Sequence, residues 1–97
     1  MGLIHYEKDF NDLIKNKAVV DFFATWCGPC KMFGPIFEEV SNERDINFVK
    51  LDVDKNSDIA REYGVMTIPT VILFENGEEV KRHVGFMNKE ELSEFIK

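Results

Sequence analysis

Apolar positions along the chain follow two periods, near two and near 3.6 residues, with polar breaks between them. Leu3 to His5 reads as a short opening strand. Phe10, Leu13 and Ile14 then share one helical face, on a helix expected to end near Asn16-Lys17. From Ala18 to Ala24 the chain is almost continuously apolar, as a central strand covered on both faces requires, and Asp21 is the charge that interrupts it. Met32, Phe33, Ile36, Phe37 and Val40 return to helical spacing up to about Glu43. Pro35 lies inside that run, where it removes the hydrogen bond to residue 31 and crowds its carbonyl. A kink, eased by Gly34, is therefore expected.

Phe48 to Val53 alternates as a second inner strand, and Asn56 or Ser57 stands where it can cap a short helix that stops at Gly64. Thr70 to Glu75 and Glu78 to Val84 are strand-like. Between them lies Asn76-Gly77, the preferred pair for a two-residue turn with positive φ at both positions. Asn88 and Glu91 make a capping-box-like start for a last helix that buries Leu92, Phe95 and Ile96. The order strand, helix, strand, helix, strand, helix, strand, strand, helix predicts an α/β fold. Its sheet is expected to be mixed, with parallel inner strands and an antiparallel C-terminal hairpin, and with helices on both faces. Ligand chemistry is expected at strand ends.

At 97 residues and 44% hydrophobic content, the chain can bury one core and not two, so residues 1–97 are read as a single domain. No repeat, low-complexity tract or linker interrupts it. The net charge of -6 gives an acidic surface that repels phosphate backbones and anionic lipid, which argues against nucleic-acid and membrane roles. Met1-Gly2-Leu3-Ile4-His5 lacks a basic region followed by a secretory apolar run, and no stretch approaches the roughly 18 apolar residues of a membrane span. A cytoplasmic location is expected. Myristoylation at Gly2 is discounted because position 6 is Tyr6, where the signal requires Ser or Thr.

Cys27 and Cys30 close too short a loop to act as a stabilising staple, so they read as redox or metal chemistry. They lie where the buried strand ends and a helix begins. The unsatisfied amides and positive dipole end of a helix N-terminus favour a thiolate, which makes Cys27 the candidate nucleophile. Cys30, at a spacing a disulfide can bridge, is the candidate resolving thiol. Gly28 and Pro29 shape the turn between them, Pro29 pre-set for an early helical position and Gly28 open to close approach by another backbone. A zinc site would need two further ligands, and only His5 and His83 are on offer, far apart in the chain. Two inert buried cysteines are the other alternative.

An ionised carboxylate costs several kcal/mol to bury, so Asp21 is the second informative residue. Its candidate role is to exchange a proton with Cys30, directly or through water, at a raised pKa; the alternative is a salt-bridged structural aspartate. Lys50, on the adjacent inner strand, is the candidate partner of Asp21, unless it is a solvated side chain.

Trp26-Cys27-Gly28-Pro29-Cys30-Lys31, preceded by Val20-Asp21-Phe22, resembles the thioredoxin family signature. The likeness runs over essentially the whole chain: Pro35 matches the family's kinking proline, Lys50-Leu51-Asp52-Val53-Asp54 its Lys-Leu-x-x-Asp strand, and Ile68-Pro69-Thr70 its Ile-Pro-Thr segment. The resemblance implies a thioredoxin fold, a cis Ile68-Pro69 peptide facing the cysteines, and a recognition surface of Trp26, Gly28, Pro29, Thr67, Ile68, Pro69 and Gly85. It further implies a monomer that reduces disulfides in client proteins, carries no bound cofactor and is re-reduced by a thioredoxin reductase. The competing use of such a fold is a redox-sensitive binding module or subunit. Two positions depart from the pattern. Phe23 stands where many relatives carry a second tryptophan, and Phe86 follows Gly85 where small residues are common.

Overall fold

The computed structural model describes residues 2–97. Its elements are β1 (Leu3–His5), α1 (Phe10–Ile14), β2 (Ala18–Phe23), α2 (Gly28–Ser41), β3 (Asn47–Asp52), α3 (Ser57–Glu62), β4 (Thr70–Glu75), β5 (Glu78–Val84) and α4 (Lys89–Phe95). The strands form one five-stranded sheet in the order β1-β3-β2-β4-β5. β1, β3 and β2 run parallel, while β4 is antiparallel to both β2 and β5. The sheet is mixed, as expected, and its antiparallel part begins one strand inside the terminal hairpin. Residues 53–69 join β3 to β4, and β4 starts at the end of the sheet where β3 stopped and runs back.

Side chains of β2 alternate between two cores, as the period of a strand demands. Ala18, Val20 and Phe22 pack with Phe10 and Ile14 of α1 and Ala60 of α3. Val19 packs on the opposite face with Phe33, Phe37 and Val40 of α2 and Leu92 of α4. Asp21 shares that second face by alternation. Phe37 is fully buried there, with ring centroids 5.7 Å from Phe33 and 5.2 Å from Phe48.

Local signals fare unequally. Asn76 (φ 55) and Gly77 (φ 82) take the left-handed conformations the hairpin requires, and Gly64 ends the α3 segment at φ 66. α2 runs through Pro35 as one element and stops at Ser41, short of Glu43, where the Asn42 N–H donates back to Glu39 and Val40 carbonyls. β3 starts and stops one residue before the expected span, and the Val53 N–H just past its end still donates to the Phe23 carbonyl at 2.9 Å. Asn56 occupies the N-cap of α3 but does not cap it with its side chain; its Nδ2 donates instead to the Asp52 carbonyl at 3.0 Å.

At α4 the capping box is complete. The Glu91 N–H donates to Asn88 Oδ1 (2.8 Å) and the Asn88 N–H to Glu91 Oε1 (2.9 Å). Lys89 then ties α4 to Glu39 of α2 and to Glu43 just past its end, each at 2.9 Å. Asn88→Ala removes one half of the box and is expected to lower stability by about 1 kcal/mol, read as a lower urea midpoint at unchanged m-value.

Candidate active site at the β2–α2 junction

β2 ends at Phe23, and Ala24-Thr25-Trp26 leads into α2 with Cys27 as its N-cap at φ -91 and ψ 117. Extended backbone at this position lets the side chain turn back over the first helical turn, where Cys27 Sγ accepts the Cys30 N–H at 3.2 Å. Pro29 occupies the first turn, where its missing N–H costs nothing. Cys27 and Cys30 form a disulfide with their Cα atoms 5.2 Å apart. Both are buried, within a small cluster that also includes Ala24, Phe23, Val53 and Ile68. Gly28 and Pro29 are exposed beside them.

A second segment closes over the pair. Ile68-Pro69 is a cis peptide, and the Ile68 carbonyl oxygen lies 3.9 Å from Cys27 Sγ. The Thr70 hydroxyl donates to the Thr67 carbonyl. The Gly85 N–H donates to the Pro69 carbonyl at 2.8 Å. Gly85 sits at φ 104, a conformation in which an L side chain is strained, so its glycine does more than end β5. The structure thus brings Cys27, Cys30, Thr67, Ile68, Pro69 and Gly85 to one end of the sheet. Met66, adjoining this segment, is 94% exposed.

Trp26 is not a core aromatic: it is 68% exposed. Its indole N–H donates to Asp54 Oδ2 at 2.8 Å, and the Asp54 N–H in turn donates to Asp52 Oδ1 at 2.9 Å. Asp54 entered the sequence reading only as part of the strand motif. Its hold on Trp26 depends on two chain segments meeting, which no local spacing encodes. Phe86 is half-exposed, edge-on to Phe33 with centroids 6.3 Å apart. His5 and His83 stand on β1 and β5, the two edge strands of the sheet. Among the described residues no three His, Cys, Asp or Glu side chains gather as a metal site.

Asp21 is completely buried. Lys50 stands opposite it in the β2–β3 register and places its Nζ 3.1 Å from Asp21 Oδ2. Among the described residues Asp21 Oδ1 has no hydrogen-bond partner. Burial pushes the Asp21 carboxyl above its ordinary range, and the Lys50 ammonium opposes that shift without cancelling it. The Lys50 Nζ also lies 4.2 Å from the centroid of the Phe23 ring.

The family model named Thioredoxin matches residues 3–97. The chain belongs to the thioredoxin family. It is 52% identical over 82 residues to a thioredoxin of Mycoplasmoides gallisepticum, an overlap covering 84% of this chain and 82% of the relative. A thioredoxin of Staphylococcus saprophyticus is 48% identical over 93 residues, covering 93% of this chain and 89% of its own. Among solved structures, a mutant thioredoxin from Halobacterium salinarum superposes with a TM-score of 0.92 at 33% identity, over 98% of this chain and 88% of that one. The fold is the thioredoxin fold. Membership and the bonded cysteine pair make the chain a thiol–disulfide oxidoreductase of the protein-disulfide reductase kind.

Proposed function

We propose that this thioredoxin, a single domain over residues 1–97, acts in the cytoplasm as a monomeric electron carrier that reduces client-protein disulfides and is re-reduced by a thioredoxin reductase. The observation that carries the proposal is the helix-capping geometry of Cys27, whose sulfur receives the Cys30 amide at 3.2 Å. An amide donor and a helix N-terminus both stabilise negative charge on that sulfur. Cys27 is therefore the thiolate that attacks one sulfur of a client disulfide. A Cys27–client bond forms, the client bond breaks, and the electron pair leaves on the client's second sulfur. Cys30 then passes its proton toward the Asp21 carboxylate and attacks Cys27 Sγ, releasing the client thiolate and leaving the internal disulfide. Two electrons from the reductase restore the dithiol.

Trp26, Gly28, Pro29, Thr67, Ile68, Pro69 and Gly85 form the recognition surface. Main-chain groups beside Pro69 would pair with extended client backbone, and such pairing reads few side chains and admits many clients. Lys50 acts through Asp21. Dithiothreitol-driven reduction of insulin tests the whole reading: rapid turnover is expected, and folded protein without turnover would favour a redox-sensing binding module instead.

Asp21→Asn separates the proton role from the thiols. Release of the mixed disulfide is expected to slow by about 10²-fold near neutral pH, and an unchanged single-turnover rate would remove Asp21 from the step. Stability should respond in the other direction. Unfolded Asp21 titrates near 3.8 and the folded group above it, so the native state holds the extra proton between the two values. Wild-type stability from this group is full below the unfolded value and is lost as pH rises through the folded one, by about 1.4 kcal/mol per pH unit between them. Urea midpoints of Asp21→Asn are expected to gain on wild type across that interval.

A further inference from the structure

We propose that Phe23 is a positioning residue, its ring face keeping the Lys50 ammonium seated on the Asp21 carboxylate. The geometry is a three-way contact: Lys50 Nζ stands 3.1 Å from Asp21 Oδ2 and 4.2 Å from the Phe23 centroid. A cation over an aromatic face is drawn by the ring quadrupole, most strongly where water is excluded. Here the Lys50 side chain is only 12% exposed.

The ammonium has other places to go. Its flexible stem and strong hydration favour release to solvent. Asp52, two residues on in β3 and on the same face, is a second carboxylate within the same region of the sheet. α2 supplies no clamp, because the position above the ammonium is Gly34, where an added Cβ would stand 3.6 Å from Nζ. The charged side chains of α2 nearest to Gly34 in sequence, Lys31 and Glu38, are exposed, and its buried ones include Cys30 and Phe33. β4 sets only Val71 opposite Asp21. β1 sets His5 opposite Lys50 in register, exposed at the edge of the sheet, so Phe23 is the side chain whose ring lies against the ammonium. It also packs against the small cluster that holds Ala24, Cys27 and Cys30, so one ring lies between the Lys50 ammonium and the core around the dithiol.

The test is a carboxyl-carbon NMR titration of Asp21 in the oxidised protein, comparing wild type with Phe23→Leu, Phe23→Tyr and Phe23→Trp. Leucine fills the site but has no ring face. Its loosened ammonium should raise the Asp21 midpoint by about half a pH unit or more, whereas tyrosine should keep the wild-type value and tryptophan should match or lower it. Phe23→Met, also ringless, carries the same expectation if the leucine variant does not fold. An unchanged midpoint in the folded ringless variants would overturn the proposal, as would an equal rise in the tyrosine and tryptophan variants, which would mark a packing effect. The Asp21 proton role proposed above enters only in a second readout, the pH profile of mixed-disulfide release. A titration shift without a shift of that profile would leave Phe23 as the positioning residue and remove Asp21 from the chemistry.

Discussion

Cys30→Ser is expected to accumulate as a covalent adduct with insulin when the two are mixed under limiting dithiothreitol, while Cys27→Ser forms none. The adduct arises because the serine protein keeps its attacking sulfur but loses the group that resolves the mixed disulfide. Well-oriented intramolecular groups reach effective concentrations of ~10⁵ M or more. Replacing Cys30 by millimolar external thiol should therefore slow release by at least about three orders of magnitude. Turnover falls below detection in both variants, and only electrophoresis without reductant tells them apart. An adduct formed equally by Cys27→Ser would reverse the assignment of the two sulfurs. The prediction rests on geometry as well as sequence order: the Cys27 sulfur receives the Cys30 amide and is the one that approaches the Ile68 carbonyl.

The second large effect concerns the fold. Phe37→Ala deletes a ring that is fully buried between Phe33 and Phe48, at the seam where α2 meets the sheet. Buried Phe→Ala changes cost about 3–5 kcal/mol, against a total stability of about 5–15 kcal/mol for a domain of this kind. The urea midpoint should fall by about 1.5 M or more at an m-value near 1–2 kcal/mol/M. A loss under about 1 kcal/mol would mean that α2 collapses onto the gap. Because α2 carries Cys30 at one end and Phe37 further along, the insulin activity of this variant should fade at lower temperature than that of wild type.

These residues also show what a chain discloses about itself. Asn76-Gly77 and the Asn88/Glu91 box are legible because their geometry is settled by atoms a few residues apart. Asp21 is legible for a different reason: a charge inside an apolar strand is costly wherever the strand lies. Its pairing with Lys50 was within reach because two adjacent parallel strands fix which residues face each other. The direction of β4 was not legible in the same way, since the connection of residues 53–69 is long enough for either direction and no pattern within β4 encodes the choice. Asn56 shows a competition that spacing cannot decide. Its Nδ2 donates to the Asp52 carbonyl, and the side chain held there leaves its Oδ1 turned away from the helix amides it would have to accept from. Trp26 and Asp54 are 28 residues apart, and nothing in either neighbourhood announces the other. The thioredoxin signature supplied the cis Ile68-Pro69 peptide, which periodicity alone does not contain.

The reversal at β4 also bears on how the chain folds. Cys27 and Ile68 are separated by 41 residues, and the strand after Ile68 must pair with β2 before the two can meet. Closing so long a loop is an entropic cost met before the contacts it brings are gained. On a growing chain, Cys27 and Cys30 leave the ribosome well before the segment that will cover them. Through that interval the thiols are unshielded, and the Ile68 segment reaches Cys27 only once Thr70 to Glu75 has joined the sheet beside β2.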